Sequence, residues 1–332
     1  MPRPVSPHVF AVRQRELRFA TFLRQGAGDS ALELAEVHSL PLAEGVFGSG
    51  PLGVPTNGGE ALAESLRRLV ARAAKPVRDA SVVLPDAWAR SMILELGELP
   101  DEPAARVEVL RFRVKRMVPY RVEDLRIEAV PIAPLGRVAA SKNGEALAAG
   151  GSDAGSGDSA LSLVTLANAA VCATIEDGFS RCGIRVGQLS GATLSTLQGL
   201  NRSGAGGDLF GLALVDSDGF NLVLVRAGVP VVWRQKSFTE GLSDDDRSRL
   251  LTADLRLTRT FLGERFAGEP LAAVYLAAPR AVEPFWLEVL AQGLGIEPTR
   301  LRLEHLALVA EGFAESCVEL APLAGAASRE VA

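Results

Sequence analysis

The sequence is poor in the residues that bind metals or form disulfides. It has only 3 cysteines and 3 histidines in 332 residues. The cysteines show no CxxC spacing, so neither a disulfide framework nor a zinc site is predicted, and buried reduced thiols are expected. The histidines are scattered along the chain, which argues against a metal cluster. These residues are Cys172, Cys182, Cys317, His8, His38 and His305.

The sequence also lacks a basic charge excess, abundant aromatic residues and long apolar runs. The net charge is −5 and aromatic residues make up 5% of the chain, which argues against a general nucleic-acid binder. No apolar run approaches the ~20 residues that span a bilayer, and residues 1–14 lack the apolar core of a signal peptide. We therefore expect a cytoplasmic protein that reaches a membrane only through a partner.

What is present suits a two-domain globular protein. Hydrophobic residues make up 48% and charged residues 23% of the chain, and its length suggests two domains. Each half opens with the same series of strand, tight turn, strand and strand, which indicates an internal duplication. The predicted strands are 9–12, 17–23 and 32–40 in the first half, and 210–216, 219–226 and 228–236 in the second.

Residues 107–130, VEVLRFRVKRMVPYRVEDLRIEAV, combine a basic helix with a strand. Val107, Leu110, Val114 and Met117 recur at helical spacing and predict an apolar face, which Val109 and Phe112 widen. Pro119 ends this predicted helix. The cations opposite the apolar face are Arg111, Lys115 and Arg116, with Arg113 near the boundary.

Two stretches of small residues divide the chain. Residues 136–160 are rich in Gly, Ser and Ala and predict a flexible insertion, and residues 203–207 predict a joint. The predicted first domain is 1–202, with a small subdomain inserted at about 80–167. The predicted second domain is 207–332.

The order of these parts resembles the PilM family of type IV pilus assembly proteins. The resemblance rests on the strand ending Val83-Leu84-Pro85, the charged helix, and the segments Val118-Pro119-Tyr120 and Glu123-Asp124-Leu125. It covers nearly the whole chain, although no single motif is strong. The resemblance implies an α/β fold: an actin-like (ribonuclease H-like) two-domain fold with an inserted small α+β subdomain.

The chain departs from the family at the three places where the family contacts ATP. The first phosphate loop is replaced by Val12 to Arg15, without glycine or carboxylate, and the adenosine loop by Ala277-Ala278. Only the second loop keeps family-like residues, so Asp216, Asp218 and Gly219 are the candidate remnants of a nucleotide site. A plain hairpin turn is the alternative for these three, because Asp-Gly is a strong hairpin signal.

The resemblance therefore implies a scaffold without ATP hydrolysis and without a cofactor, with magnesium-ATP as the alternative cofactor. The family's partner is the cytoplasmic N-terminal segment of PilN, a single-pass inner-membrane protein, which binds in a groove between subdomains. Pilus motor ATPases are a further partner that the resemblance suggests. The candidate docking residues are Arg111, Arg113, Lys115 and Arg116, which could equally form a solvated helix face.

Two other functions remain open at this stage. A nucleotide-dependent actin-like ATPase or sugar kinase would need phosphate loops that this sequence lacks. The L-type cytoplasmic component of a type II secretion system is related, but that family normally carries its own membrane span after this domain. We expect no such span here.

Overall fold

A computed structural model describes residues 6–24, 31–48, 58–96, 99–118, 121–132, 161–204, 208–216, 219–237, 243–266, 269–313 and 316–327. The predicted insertion at 136–160 lies outside these residues. The strands are β1 His8–Val12, β2 Glu16–Arg24, β3 Leu32–Pro41, β4 Asp79–Leu84, β5 Ala89–Glu95, β6 Leu125–Pro131, β7 Leu161–Asn168, β8 Arg185–Gly191, β9 Leu209–Val215, β10 Gly219–Arg226, β11 Val229–Ser237, β12 Ala273–Ala277, β13 Thr299–Arg300 and β14 Leu308–Val309. The helices are α1 Gly58–Val70, α2 Pro103–Val114, α3 Ala169–Ser180, α4 Ala192–Ser203, α5 Asp244–Arg265, α6 Glu283–Leu294 and α7 Cys317–Ala327.

The first sheet has the strand order β14-β3-β2-β1-β4-β8. Its first three strands in sequence form an antiparallel meander, as the alternating sequence predicts. Strands β1, β4 and β8 run parallel, so their C-terminal ends meet at one edge of the sheet. Helices α1 and α3 cover the outer face, where Phe10, Phe19 and Phe179 pack together.

The second sheet repeats this plan, with the order β11-β10-β9-β12-β13. Strands β9, β10 and β11 form the antiparallel meander, and β12 runs parallel to β9. Helices α5 and α6 cover its outer face, where Leu255, Trp286 and Leu290 are buried. The duplication predicted from the sequence is therefore a duplication of sheet topology.

A smaller antiparallel sheet, β5-β7-β6, forms a separate layer with helix α2 packed on one side. Glu102 begins this helix, because its carboxylate accepts hydrogen bonds from the backbone N–H groups of Ala104 (3.1 Å) and Ala105 (2.6 Å). The apolar side of α2 is narrower than predicted: Leu110 and Val114 are buried, but Phe112 is 78% exposed. The prediction that Phe112 widens the buried face is wrong, because only one line of α2 side chains meets the small sheet.

Helices α4 and α7 lie between the two large sheets. The core around them takes side chains from the inner faces of both sheets, including Val9, Phe22, Leu212 and Val223. The two helices approach closely where Gly199 faces Gly325: a Cβ added at Gly199 would lie 3.4 Å from the Gly325 Cα, and one added at Gly325 would overlap the carbonyl oxygen of Ser195. Glycine at position 325 is therefore required by the crossing.

The last elements of the chain return to the first sheet. Strand β14 pairs in parallel with β3, and α7 packs on β1, β2 and β4. Arg18 of β2 forms a 2.8 Å ion pair with Glu319 of α7, which links the helix to the first sheet. Strand β14 and helix α7 thus pack with the first sheet, although the predicted boundary at 202–207 assigned them to the second domain. The domain boundaries themselves stay a prediction.

Across the described ranges, none of the helices is both long and apolar enough to span a bilayer. The three cysteines are free; Cys172 is buried, as predicted, whereas Cys182 and Cys317 are partly exposed. Within the same ranges, three or more His, Cys, Asp or Glu side chains nowhere converge into a set of metal ligands.

Candidate functional site

Strand ends from the two large sheets lie next to each other, since the charge of Asp216 after β9 acts on Asp86 after β4; the region between them is called the cleft here. The first sheet contributes the ends of β1, β4 and β8, and the second sheet contributes the ends of β9 and β12. The side chain of Gln235 on β11 reaches across, and its Nε2 donates to the main-chain oxygen of Asp86, which follows β4, at 3.0 Å. Ligands bind at this position, outside the C-terminal ends of parallel strands, in open α/β sheets.

The turn after β1 closes on itself. The backbone N–H of Arg13 donates to the carbonyl oxygen of Glu16 at 2.9 Å, so it is used within the turn. Arg13 and Arg15 are exposed. A phosphate-binding loop needs several backbone N–H groups that point toward the ligand. In this hairpin the N–H group of Arg13 is already used in a hydrogen bond within the turn.

The turn after β9 is closed in the same way. The backbone N–H of Gly219 donates to the Asp216 carboxylate at 3.1 Å, and the Asp216 N–H donates to the Gly219 carbonyl at 3.0 Å. A Cβ at Gly219 would overlap the carbonyl oxygen of Lys236 on β11. Asp216 and Gly219 thus bond to each other where strands β9 and β10 of the hairpin meet. Glycine is needed at position 219 because strand β11 lies too close to admit a side chain. The third candidate, Asp218, lies outside the described residues.

The end of β12 is packed from both sides. Ala277 belongs to the core between the sheets and Ala278 to the core on the outer face. Pro279 then opens a turn, because its carbonyl accepts from the N–H groups of Val282 and Glu283, each at 3.0 Å. The methyl groups of both alanines fill space that paired glycines would leave open.

Sequence reasoning missed Asp86, the fully buried carboxyl at the cleft. Both of its oxygens accept from the backbone N–H of Thr193 at 3.1 Å, and the Thr193 hydroxyl donates to Oδ2 at 2.6 Å. Asp86 thereby satisfies the N-terminus of α4. Burial raises its pKa to about 7; the Thr193 hydrogen bonds lower the pKa and the charge of Asp216 raises it. The only sequence signal was an aspartate directly after the predicted strand end Leu84-Pro85.

Residues around Asp86 join three layers of the fold. Arg90 of the small sheet donates through Nε to Gln235 Oε1 at 2.9 Å, and Gln235 donates to the Asp86 main-chain oxygen. Gly191 leaves room for this arrangement, since a Cβ there would lie 2.8 Å from both the Ala89 oxygen and the Asp86 Oδ1. The cleft is therefore bridged by the protein's own side chains.

Four basic residues predicted to bind a partner lie at the end of α2, and they fall into two groups. Arg111 is half-buried; it pairs with Glu108 at 2.8 Å and donates to the Glu123 carbonyl at 3.4 Å. Arg113, Lys115 and Arg116 are exposed and make no ion pair within the described ranges.

Helix α2 ends at Val114, earlier than predicted, so Lys115 and Arg116 lie in the turn that follows it. Phe112, Arg113, Lys115, Arg116 and Met117 form one exposed patch, here called the α2 surface. Phe112 is 78% and Met117 50% exposed, so this patch combines apolar area with positive charge.

Comparisons with known proteins identify the fold. No protein-family profile matches the chain, and a search of curated proteins found no significant match. A chain of the PilM-PilN type IV pilus biogenesis complex is similar in structure, with a TM-score of 0.66 and 17% identity over 98% of this chain and 97% of that one.

More distant structures include a Bacteroides thetaiotaomicron protein described as having an actin-like ATPase fold, with a TM-score of 0.49, 8% identity and 96% of each chain covered. The cytoplasmic domain of EpsL, an inner-membrane component of the Vibrio cholerae type II secretion system, has a TM-score of 0.45 and 12% identity over 97% of this chain and 95% of that one. With its two duplicated sheets and its match to the PilM-PilN complex, the chain has the actin-like fold.

Proposed function

We propose that this protein is a cytoplasmic scaffold of a type IV pilus inner-membrane assembly platform, and that it docks the cytoplasmic segment of a PilN-like membrane protein. The observation that carries the proposal is the α2 surface. The likeness in fold to a chain of the PilM-PilN complex supports it over 98% of the chain. In this proposal the protein is held at the inner membrane by its partner.

The chemistry of the α2 surface suits a segment with both acidic and apolar residues. Arg113, Lys115 and Arg116 have no ion-pair partner among the residues described, so a partner carboxylate would not have to displace an existing one. Phe112 offers a large apolar contact beside them, and aromatic and arginine side chains dominate the energetics of many interfaces. Arg113 also lies in the last turn of α2, where it interacts favourably with the helix dipole.

We expect the double variant Arg113→Glu/Arg116→Glu to lose a small single-pass protein that the wild-type chain captures from detergent-solubilised native membranes. Charge reversal places like charges opposite the partner's carboxylates, which costs several kcal/mol at an interface. A matched control, Arg68→Glu/Lys75→Glu, makes the same change in net charge on exposed residues at and after the end of α1. The measurement is the amount of captured protein by mass spectrometry.

Capture that is lost only in the α2 variant supports the docking site. Equal capture by both variants would refute the docking site but not the scaffold function. If the wild type captured no such protein, the scaffold function itself would be refuted. Binding of the purified chain to anionic vesicles without any protein partner would instead assign the α2 surface to lipid.

The proposal includes the absence of ATP hydrolysis. Its support is the closed hairpin geometry of the turns after β1 and β9 and the packed alanines after β12. We expect the melting temperature to be unchanged by saturating magnesium-ATP, because a ligand at 100 times its Kd would stabilise the fold by about 2.7 kcal/mol. A concentration-dependent rise in melting temperature would contradict this and favour the alternative of a nucleotide-binding protein.

A further inference from the structure

Helix α5 carries an exposed apolar stripe on the face opposite its core contacts. Leu250 and Leu257 are 61% and 64% exposed, and Ala253 and Phe261 are also exposed. Their spacing places them along one line of the helix, over about three turns. Single exposed leucines are common, but a stripe of this kind on one helix indicates an interaction surface.

The helix that carries the stripe, α5, is packed against the core and against α6. Leu251, Leu255 and Thr258 on the other side of α5 are buried. A Cβ at Gly293 of α6 would overlap the Leu255 side chain, so α5 and α6 are in close contact. The apolar stripe is therefore presented by a rigid element of 22 residues, about 33 Å long.

The charges at the ends of the stripe decide what it can bind. Asp246 lies on the line of the stripe at its N-terminal end, and Glu264 lies on it at the C-terminal end. Arg249 and Arg265 flank the same two ends and are exposed. Asp246 already pairs with Arg249 of its own helix, so each end of the stripe carries charges of both signs. A partner with the same mixed pattern of charge suits these ends better than a uniformly anionic lipid surface.

We propose that the partner is a second copy of this chain, with the two α5 helices packed antiparallel about a twofold axis. Leu250 and Phe261 are equally distant from the point between residues 255 and 256, so in this register each faces the other across the interface. In this register Asp246, which already pairs with Arg249 of its own helix, comes level with Arg265 of the other copy, and Glu264 lies beside Arg249 of the other copy. A twofold interface needs such self-complementarity, since the same patch is used on both sides.

Antiparallel packing is also favoured by the helix termini. The first turn of α5 contains Asp244, Asp245 and Asp246, and the last turn contains Arg265. An antiparallel pair brings each acidic end next to a basic end and aligns the helix dipoles favourably. A parallel pair would place the three aspartates of each chain together.

The first test is the oligomeric state of the full chain by sedimentation velocity at up to about 100 µM, where a weak but specific dimer is populated. We expect a dimer that Leu250→Glu/Leu257→Glu abolishes and the control Val130→Glu preserves, since Val130 is 60% exposed on the small sheet. A monomeric wild type would overturn the proposal. A dimer equally formed by the Leu250→Glu/Leu257→Glu variant would do the same.

A second test checks the register. Arg249→Glu places a carboxylate against Glu264 of the other copy, and Glu264→Arg places a guanidinium against Arg249 of the other copy, so neither variant should form a homodimer. When the two variants are mixed, each of these contacts pairs a carboxylate with a guanidinium, and native mass spectrometry should detect a heterodimer. Absence of the heterodimer, or homodimers of either variant, would overturn the antiparallel arrangement. Far-UV circular dichroism of each variant checks that the helix is intact.

Discussion

Replacement of Gly325 by alanine is expected to reduce the free energy of unfolding by about 3 kcal/mol or more, a large part of the 5–15 kcal/mol typical of a folded domain. The added methyl group would overlap the carbonyl oxygen of Ser195 on α4. That backbone has little freedom to move, because Ser195 and Thr196 are fully buried and the Ser195 hydroxyl bonds that of Ser190 at 2.6 Å. The measurement is urea denaturation followed by circular dichroism.

Gly263→Ala is the matched control. Gly263 lies inside α5, and an added Cβ there would meet no atom of another element within 4 Å. Alanine at this position should raise the free energy of unfolding by about 0.5–1 kcal/mol, because glycine is the poorer helix residue. If the two substitutions had similar effects, the close crossing of α4 and α7 would be ruled out.

Asp86→Asn is expected to make the protein more stable at pH 8, by about 4 kcal/mol. This figure is the free-energy equivalent of the rise in pKa of Asp86 from 3.8 to about 7 on folding. Asparagine retains the contacts of the neutral acid, because its oxygen accepts from the Thr193 N–H and its amide donates to the Thr193 hydroxyl. The variant also lacks the charge that burial disfavours.

The sign of the pH dependence follows from the direction of the shift. Below pH 3.8 the carboxyl is protonated in both the folded and the unfolded chain, so ionisation of Asp86 contributes no difference. Between pH 3.8 and about 7 the unfolded chain has lost the proton while the folded chain retains it, so wild-type stability falls as the pH rises. Above pH 7 the loss is complete and the gap between variant and wild type stays constant.

Melting temperatures of the wild type and Asp86→Asn, measured from pH 4 to pH 8, give this gap directly. Glu64→Gln serves as a control, because Glu64 is an exposed carboxylate on α1 and should leave the curve unchanged. A gap that is independent of pH over this range would show that Asp86 is ionised in the folded chain throughout, and a gap that closes as the pH rises would show that folding lowers its pKa. Either result would contradict the prediction.

The strands and their hairpins could be predicted from the sequence because those signals are local. Alternation along Leu17 to Leu23 and the Asp-Gly pair after Val215 identify the meanders, and both are observed. The hairpin alternative for Asp216 and Gly219 matches the hydrogen bonds of that turn. The actin-like fold followed from the order of such elements and is confirmed.

The cleft and the α2 surface depended on contacts that no local pattern contains. Asp86 meets Thr193 across 107 positions in sequence, and the two are neighbours only because β4 and β8 are parallel and adjacent. Phe112 has the hydrophobicity of a core residue, yet the small sheet is too narrow to cover it. Whether an apolar side chain on a helix is buried depends on how wide the surface is that the helix packs against. The spacing of apolar residues along the helix contains no information about that width.

The return of α7 to the first sheet has a consequence for synthesis on the ribosome. The inner face of the first sheet, with Val9 and Phe22, is covered in part by α7, which is translated after the strands of both large sheets. Until residues 317–327 leave the exit tunnel, the part of this apolar surface that α7 covers in the folded protein stays exposed. Folding therefore depends on contacts between distant parts of the chain, such as Arg18 with Glu319, which makes it slow and exposes nascent chains to aggregation.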